Sequence, residues 1–208
     1  MRVIFFGTPH FSVPSLQRLI DHPEIEVVAA VTQPDRRRGR GKSLVPSPVK
    51  EMAVSANLPV LQPAKIRKDQ EIIDKLQSFG ADAFVVVAYG QILSEEILGI
   101  PTIGCINGHG SLLPAYRGAS PMQRSLVDGQ EKTGLVTMLM DKGLDTGPML
   151  LRQETPIELL DNVKTLGARL AEIAAELLPE TLLGLASGKV IPEPQDDRQA
   201  TYAPLIDK

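Results

Sequence analysis

The N-terminal stretch RVIFFGTPHFSVPSLQRLIDHPEIEVVAAV, residues 2–31, decides the fold. It opens with the apolar run 2–6, which stops at the turn 7–9, and it ends with a second apolar run, 26–31. Between them, residues 13–20 repeat Val, Leu and Ile at the spacing of one helical face. A strand, a helix and a strand in so short a stretch predict a βαβ unit with a parallel strand pair.

The same alternation continues along the chain. The expected strands are 58–61, 81–88, 103–107, 134–140 and 148–156, and the expected helices are 49–56, 68–79, 119–127 and 161–187. Asp161 is the expected N-cap of the last helix, which Pro179 should kink or interrupt. The sum predicts an α/β class with a Rossmann-like, three-layer, open and mostly parallel sheet carrying helices on both faces. Ligands of such sheets bind beyond the carboxyl ends of the strands.

Composition excludes several classes. The chain has 208 residues and a net charge of −3, so contact with nucleic acid would need a local basic patch. A single cysteine, Cys105, rules out an internal disulfide and a cysteine-rich zinc site. The first apolar run is too short for a signal peptide, and no stretch approaches the roughly 20 apolar residues of a membrane helix. We expect a cytoplasmic, monomeric protein that has no membrane contact and no metal.

The turn after the first strand does not carry a nucleotide-binding fingerprint. A dinucleotide site needs G-x-G-x-x-G there, and Gly7 is the only glycine in GTPHFS, residues 7–12. The chain also has no P-loop pattern. The sequence therefore argues against NAD and ATP as ligands.

The segment TQPDRRRGRGKSLVPSP, residues 32–48, interrupts the alternation. Its prolines and glycines predict a long loop without regular structure, and such loops are often functional. Its cations are Arg36, Arg37, Arg38, Arg40 and Lys42. They form either a strip that neutralises phosphates or a merely solvated basic loop.

Two stretches carry candidate chemistry. In NGHGSLLPAYRG, residues 107–118, Asn107 and His109 sit two apart at a strand end, so both side chains project from one face. Two such donors converging on one oxygen would stabilise the oxyanion of an acyl transfer. In MDKGLDTGP, residues 140–148, either of the two aspartates, Asp141 or Asp145, could fix the tautomer of a nearby histidine. Taken singly, the two stretches are better explained by a structural histidine and by a glycine-rich turn with solvated acids.

Together the two stretches resemble the signature of the folate-dependent formyltransferases, N-x-H-x-S-L-L-P-x-x-R-G followed by D-x-G-x-D-x-G. The resemblance extends from Arg2 to about Tyr202 and implies that Asn107, His109 and Asp145 are the catalytic group. In the implied mechanism, a neutral amine attacks the formyl carbon of 10-formyltetrahydrofolate, while Asn107 and protonated His109 stabilise the oxyanion. Asp145 supports the imidazolium and helps to move protons through a water.

The resemblance also implies where the folate binds. The expected contacts are Tyr89, Gly90, Gln91, Ile92, Leu93, Ser111, Leu112, Leu113, Pro114, Asp141, Gly143 and Leu144. This sequence departs from the family at Gly108, where the family usually has Val or Ile.

The basic segment indicates the acceptor. The pattern Q-P-D-R-x-x-G-R-G-K-x-x-x-x-S-P-V-K, residues 33–50, resembles the insertion of the family branch that formylates initiator methionyl-tRNA. That resemblance implies tRNA contacts from the five cations. Two alternatives stay open. The amine could be small, such as a nucleotide or sugar nucleotide, or the chain could be a non-catalytic folate- or RNA-binding remnant.

Members of that branch carry a C-terminal β-barrel domain that helps to bind tRNA. The resemblance therefore predicts a catalytic domain over 1–190, with the basic loop at 33–48, and an extended tail or linker start over 191–208. On this reading the C-terminal tRNA-binding domain is absent from the sequence given.

Overall fold

The computed structural model describes residues 1–38 and 43–206. In these residues the strands are β1 Arg2–Gly7, β2 Glu26–Val31, β3 Arg36–Arg38, β4 Ser43–Val45, β5 Val60–Leu61, β6 Ala83–Val87, β7 Gly104–His109, β8 Lys132–Leu139 and β9 Met149–Pro156. The α-helices are α1 Val13–Ile20, α2 Pro48–Ser55, α3 Gln70–Ser78, α4 Glu95–Leu98, α5 Pro121–Val127 and α6 Val163–Ala186. The chain divides into two compact units, Met1–Cys105 and Ile106–Lys208.

The first unit is built on parallel strands in the order β5-β2-β1-β6. Val3, Ile4, Phe5 and Phe6 of β1 are fully buried, as expected for a strand with a partner on each side. Helices α1 and α2 pack against β2. Because parallel strands point the same way, the turns after β1, β2 and β6 emerge at one edge of this sheet.

The basic segment differs from its prediction. Residues 32–48 were expected to lack regular structure, but β3 and β4 pair as an antiparallel hairpin, with Arg36 opposite Val45 and Arg37 opposite Leu44. The prediction was wrong because a run of arginines has no apolar alternation to signal a strand. The pairing depends on backbone hydrogen bonds, which any residue except proline can make.

The second unit is antiparallel. β7 pairs with β8, and β8 pairs with β9. Helix α6 packs on β8 and β9, and α5 packs on α6 and β8. A hydrogen bond of 2.8 Å joins the buried hydroxyl groups of Thr137 in β8 and Thr181 in α6, so the polar atoms at this contact are satisfied.

Helix α6 begins one residue later than predicted and continues through its proline. The N-cap is Asn162, not Asp161, and Asn162 forms a capping box with Thr165. The Asp161 carboxylate instead accepts hydrogen bonds from Arg169 and from the Glu158 amide. Pro179 lies inside the helix without ending it, because tertiary packing of the buried apolar face outweighs the lost hydrogen bond.

The C-terminal tail lies against the second unit as an extended segment. Glu193 forms a β-bridge with Met149, and Tyr202 forms one with Arg117. The Ala203 amide donates to the Arg117 carbonyl at 2.7 Å. Within this tail, Asp197–Gln199 form a short 3-10 helix.

The α/β class and the mostly parallel sheet predicted from the sequence are confirmed, with seven strands and flanking helices. Helix α4 was not predicted, because four residues are too few to show a period. No helix in the described residues combines the length and apolar character needed to span a bilayer.

Candidate active site

Strand β7 delivers two of the three predicted catalytic residues. Asn107 lies opposite Met138 of β8, and His109, the last residue of the strand, lies opposite Val136. The strand runs two residues beyond its predicted end, so both side chains keep the alternate spacing that places them on one face. The His109 side chain is only 6% exposed.

Asp145, in the loop between β8 and β9, completes the group. Its Oδ1 lies 3.5 Å from the Asn107 side-chain amide, and its Oδ2 lies 3.7 Å from His109 Nδ1. Both contacts are at or beyond the usual hydrogen-bond limit. The short contact comes from the Gly118 amide, which donates to Oδ2 at 2.8 Å. The structure therefore brings the three predicted residues together, with the carboxylate held chiefly by main chain.

A hydrogen bond to the main chain determines which ring nitrogen of His109 carries a hydrogen. Nε2 lies 2.9 Å from the Tyr116 carbonyl oxygen, which can only accept, so Nε2 carries a hydrogen. Among the residues that the structure describes, Nδ1 has no partner closer than the carboxylate at 3.7 Å. When Nδ1 is protonated, it is therefore the ring atom with a donor available to an incoming oxygen.

Gly118 is where the geometry requires a glycine. Its φ is 120°, and a Cβ placed there would lie 2.8 Å from the Ala203 carbonyl oxygen. Only glycine allows both this conformation and the close approach of the tail. The same conformation aims the Gly118 amide at the Asp145 carboxylate.

The predicted folate residues of the second unit fall into two groups. Ser111 is buried and donates to the Ala115 carbonyl at 2.7 Å, and Leu113 packs in a core cluster with Val136, Met138 and Met149. Their side chains serve the fold, so a ligand could use only the main chain of this segment. Around Asp145 the surface is more open. Leu144 is 60% exposed, and Asp141 Oδ1 accepts from the Gly143 amide and from the Thr146 hydroxyl.

In the first unit, the predicted folate segment follows β6. Tyr89 is 2% exposed, and its hydroxyl has no hydrogen-bond partner in residues 1–38 and 43–206. Burial raises the pKa of Tyr89 above its ordinary value. The Gln91 side chain is occupied by Ile66 and Pro63 main chain, and Leu93 is buried. Ile92, by contrast, leaves 72% of its surface open.

A cavity of about 210 Å³ opens at the carboxyl edge of the first unit. Its lining includes Tyr89 and Gly90, together with Thr8 after β1 and Gln33 after β2. Gln33 donates to the carbonyls of Tyr89 and Gly90 at 3.1 and 2.9 Å, and the Thr8 hydroxyl donates to Tyr89 at 2.9 Å. Sequence reasoning missed Thr8 and Gln33, although their position just after parallel strands was a signal for them.

The predicted tRNA-binding cations are only partly described. Arg36 and Arg37 of β3 are exposed, and Arg36 also lines the cavity and donates to the Gln33 side chain. Arg38 is the last residue of β3. Arg40 and Lys42 lie outside the described residues.

Chemically, the group in the second unit suits acyl transfer. An amide donor, an imidazole and a carboxylate converge in a largely buried site, where polar interactions are stronger than in water. In the described ranges, no three histidine, cysteine, aspartate or glutamate side chains are grouped so that they could hold a metal. Such a site can stabilise a developing oxyanion and carry a proton.

Comparisons with known proteins agree with this chemistry. Residues 1–182 match the formyl transferase family. The chain is 57% identical over 208 residues to the methionyl-tRNA formyltransferase of Synechocystis sp. and 59% identical to that of Synechococcus elongatus. It spans 63% and 64% of the length of these curated relatives.

Solved structures share the fold at low identity. Glycinamide ribonucleotide transformylase 1 from Symbiobacterium toebii superposes with a TM-score of 0.77 at 21% identity, covering 94% of each chain. A sugar 3N-formyl transferase, solved with dTDP and 5-N-formyl-THF, gives a TM-score of 0.71 at 15% identity, covering 98% of this chain and 69% of its own. Sequence match, fold and site geometry agree, and the chain belongs to the formyl transferase family.

Proposed function

We propose that this chain is the catalytic part, over about residues 1–190, of an enzyme that transfers a formyl group from 10-formyltetrahydrofolate to the amino group of initiator methionyl-tRNA. The observation that carries the proposal is the meeting of Asn107, His109 and Asp145 in one site. Identity of 57–59% to methionyl-tRNA formyltransferases over all 208 residues supports the choice of acceptor.

The co-substrate supplies a formyl carbon bonded to nitrogen N10. The amine nitrogen bonds to that carbon, the bond from carbon to N10 breaks, and one proton leaves the amine while one reaches N10. Asn107 donates its side-chain amide, and His109 donates from Nδ1, to the formyl oxygen as negative charge develops there. Asp145 stabilises the imidazolium and takes the amine proton through a water, which makes it the proton carrier of the site.

Two observations support folate binding. Ile92 and Leu144, which belong to the predicted folate segments of the first and second unit, are apolar and 72% and 60% exposed. Within each unit, an exposed apolar side chain of this kind is surface that a flat heteroaromatic ring could cover. Within residues 1–38 and 43–206, both hydrogen bonds that the Asp141 carboxylate accepts are to Oδ1, which leaves Oδ2 to accept from ring N–H groups.

The hairpin supports contact with nucleic acid. Arg36 and Arg37 extend into solvent from β3, in a chain whose overall charge is −3. Because the net charge would not attract a polyanion, attraction to phosphate has to be local. The hairpin gives the cations a defined backbone on which to meet an acceptor stem.

A formylation assay tests the proposal. The chain is incubated with 10-formyltetrahydrofolate and one amine in each of three parallel reactions. The amines are methionyl-tRNA, an amino sugar nucleotide and glycinamide ribonucleotide. We expect the highest kcat/KM for methionyl-tRNA. Turnover of a small amine without any formylation of methionyl-tRNA would assign the acceptor to the alternative class. Folate binding without turnover of any amine would instead indicate a non-catalytic remnant.

A further inference from the structure

One side chain of the tail contacts the loop that carries Asp145. Gln195 donates from Nε2 to the carbonyl oxygens of Asp145 and Gly147, at 2.9 and 2.7 Å. Its Oε1 accepts from Nε and Nη2 of Arg117, at 3.0 and 2.9 Å. The two carbonyls flank Thr146, so a single amide holds the loop on both sides of that residue.

The orientation of this amide is determined by its partners. Arg117 has only donors, and the two carbonyls only accept. Exchanging the oxygen and nitrogen of Gln195 would therefore break all four contacts. Both N–H groups and both acceptor positions are used, so the side chain has one arrangement in which it is satisfied.

The main chain at Asp145 needs such support. Its φ of 54° lies in the left-handed region, which is unfavourable for a residue with a Cβ. The carboxylate has one short contact, to the Gly118 amide, while Asn107 and His109 stand at 3.5 and 3.7 Å. The position of the carboxylate therefore depends on where its backbone is held.

Arg117 in turn is tied to the tail. It is 2% exposed, and besides Gln195 it donates to Asp197, whose own side chain is 83% exposed. Its amide donates to the Thr201 carbonyl at 2.8 Å, and its carbonyl accepts from Ala203. A buried guanidinium with this many fixed partners is a rigid base for the Gln195 oxygen.

We propose that Gln195 is a positioning residue for formyl transfer. It holds the Asp145 backbone so that the carboxylate meets Asn107 and His109, and Arg117 holds Gln195. The role in the reaction rests on the proposed function. The role in placing the carboxylate rests on the contacts alone.

Gln195→Glu separates this role from a merely structural one. Glutamate keeps, and by its charge strengthens, the acceptor for Arg117, so the tail should stay in place. It loses both N–H donors and sets an oxygen against the carbonyls of Asp145 and Gly147. Since a 1 Å displacement of a catalytic group can cost about 10²-fold, we expect kcat to fall about 10- to 100-fold. KM for both substrates should stay within about twofold, because the carbonyls that Gln195 contacts belong to Asp145 and Gly147 and not to the predicted folate residues Asp141, Gly143 and Leu144.

The matched control is Gln199→Glu, the same change four residues further along, where the side chain's one hydrogen bond within the described part of the chain is to Asp196. Its kcat should equal that of the wild type. If Gln195→Glu does not fold, Gln195→Asn serves instead. Asparagine keeps the amide oxygen and both N–H donors but is one methylene too short to reach both Arg117 and the loop. Its kcat should fall in the same way.

A measurement without substrate distinguishes this inference from the proposed function. The Gly118 amide donates to Asp145 Oδ2, so its ¹H–¹⁵N resonance reports the place of the carboxylate. We expect it to move in Gln195→Glu and to stay in Gln199→Glu. An unmoved Gly118 resonance, or an unchanged kcat, in the folded variant overturns the proposal. If the wild-type chain showed no formyl transfer, the proposed function would be wrong. The Gly118 resonance would still show whether Gln195 holds Asp145 in place.

Discussion

The backbone of Asp145 adopts a φ of 54°, and that of Gly118, which lies next to it in the structure, adopts a φ of 120°. A hydrogen bond joins the two residues, because the Gly118 amide donates to the Asp145 carboxylate at 2.8 Å. Aspartate tolerates the left-handed region better than most residues, and glycine tolerates it freely. The site thus concentrates backbone strain where the chemistry needs a carboxylate in one place.

The single cysteine has a different character. Cys105 is 2% exposed at the end of the first unit, and burial raises the pKa of its thiol to about 12. At pH 8 the thiolate fraction should then be about one in 10⁴, and the thiolate is the reactive form. We predict that iodoacetamide labels the folded protein at least about 100-fold more slowly than the urea-unfolded protein. Equal rates in the two states would show that the thiol is accessible and ionised.

Among the elements, α6 shows how a cap is chosen. Asn162 Oδ1 accepts from the amides of Lys164 and Thr165, at 2.9 and 3.3 Å. Asp161, the predicted cap, instead accepts a hydrogen bond from the Arg169 guanidinium. The pKa of its carboxyl group is lowered, chiefly by the hydrogen bond from the Glu158 amide. Two adjacent residues of cap-forming type cannot be distinguished from sequence, because the choice depends on what surrounds each of them.

The cap gives a stability prediction. Asn162→Ala should lower the free energy of unfolding by about 1 kcal/mol, because two amides of the first turn lose their acceptor. Asn162→Asp keeps the acceptor and should retain the stability of the wild type. Urea denaturation of the three proteins measures the difference. An alanine variant as stable as the wild type would show that the cap contributes nothing.

The hairpin of β3 and β4 gives a binding prediction. Replacing Arg36 and Arg37 with alanine should weaken tRNA binding, because two exposed cations are removed. The slope of log K against log salt is negative, and each lost phosphate contact makes it less steep by about 1. Lys189→Ala removes an exposed cation outside the hairpin and is the control. Titrations at several salt concentrations would contradict the tRNA assignment if the double variant kept the wild-type slope.

For the whole molecule, the sequence predicted the features that depend on local periodicity and on motifs. The βαβ opening at 2–31 was correct because buried strands and an amphipathic helix have different periods. The meeting of Asn107, His109 and Asp145 was predictable because the residue types, order and spacing of their two stretches are distinctive. The pairing of β3 with β4 and the contacts of Gln195 were not predictable, since backbone pairing of charged residues and contacts between distant segments leave no local pattern.

The central claim is that Asn107, His109 and Asp145 act as one catalytic unit. Single-turnover formyl transfer to methionyl-tRNA, measured for Asn107→Ala, His109→Ala, Asp145→Asn and the triple variant, tests it most directly. Circular dichroism and thermal unfolding of each variant provide the control for folding.

Each single variant should stay folded and lose about 10²- to 10⁴-fold in rate, as is usual for oxyanion stabilisers and acid–base groups. Because residues that act together have non-additive effects, the triple variant should be little slower than the slowest single variant. A folded single variant with a rate close to that of the wild type, or losses that multiply in the triple variant, would contradict the claim.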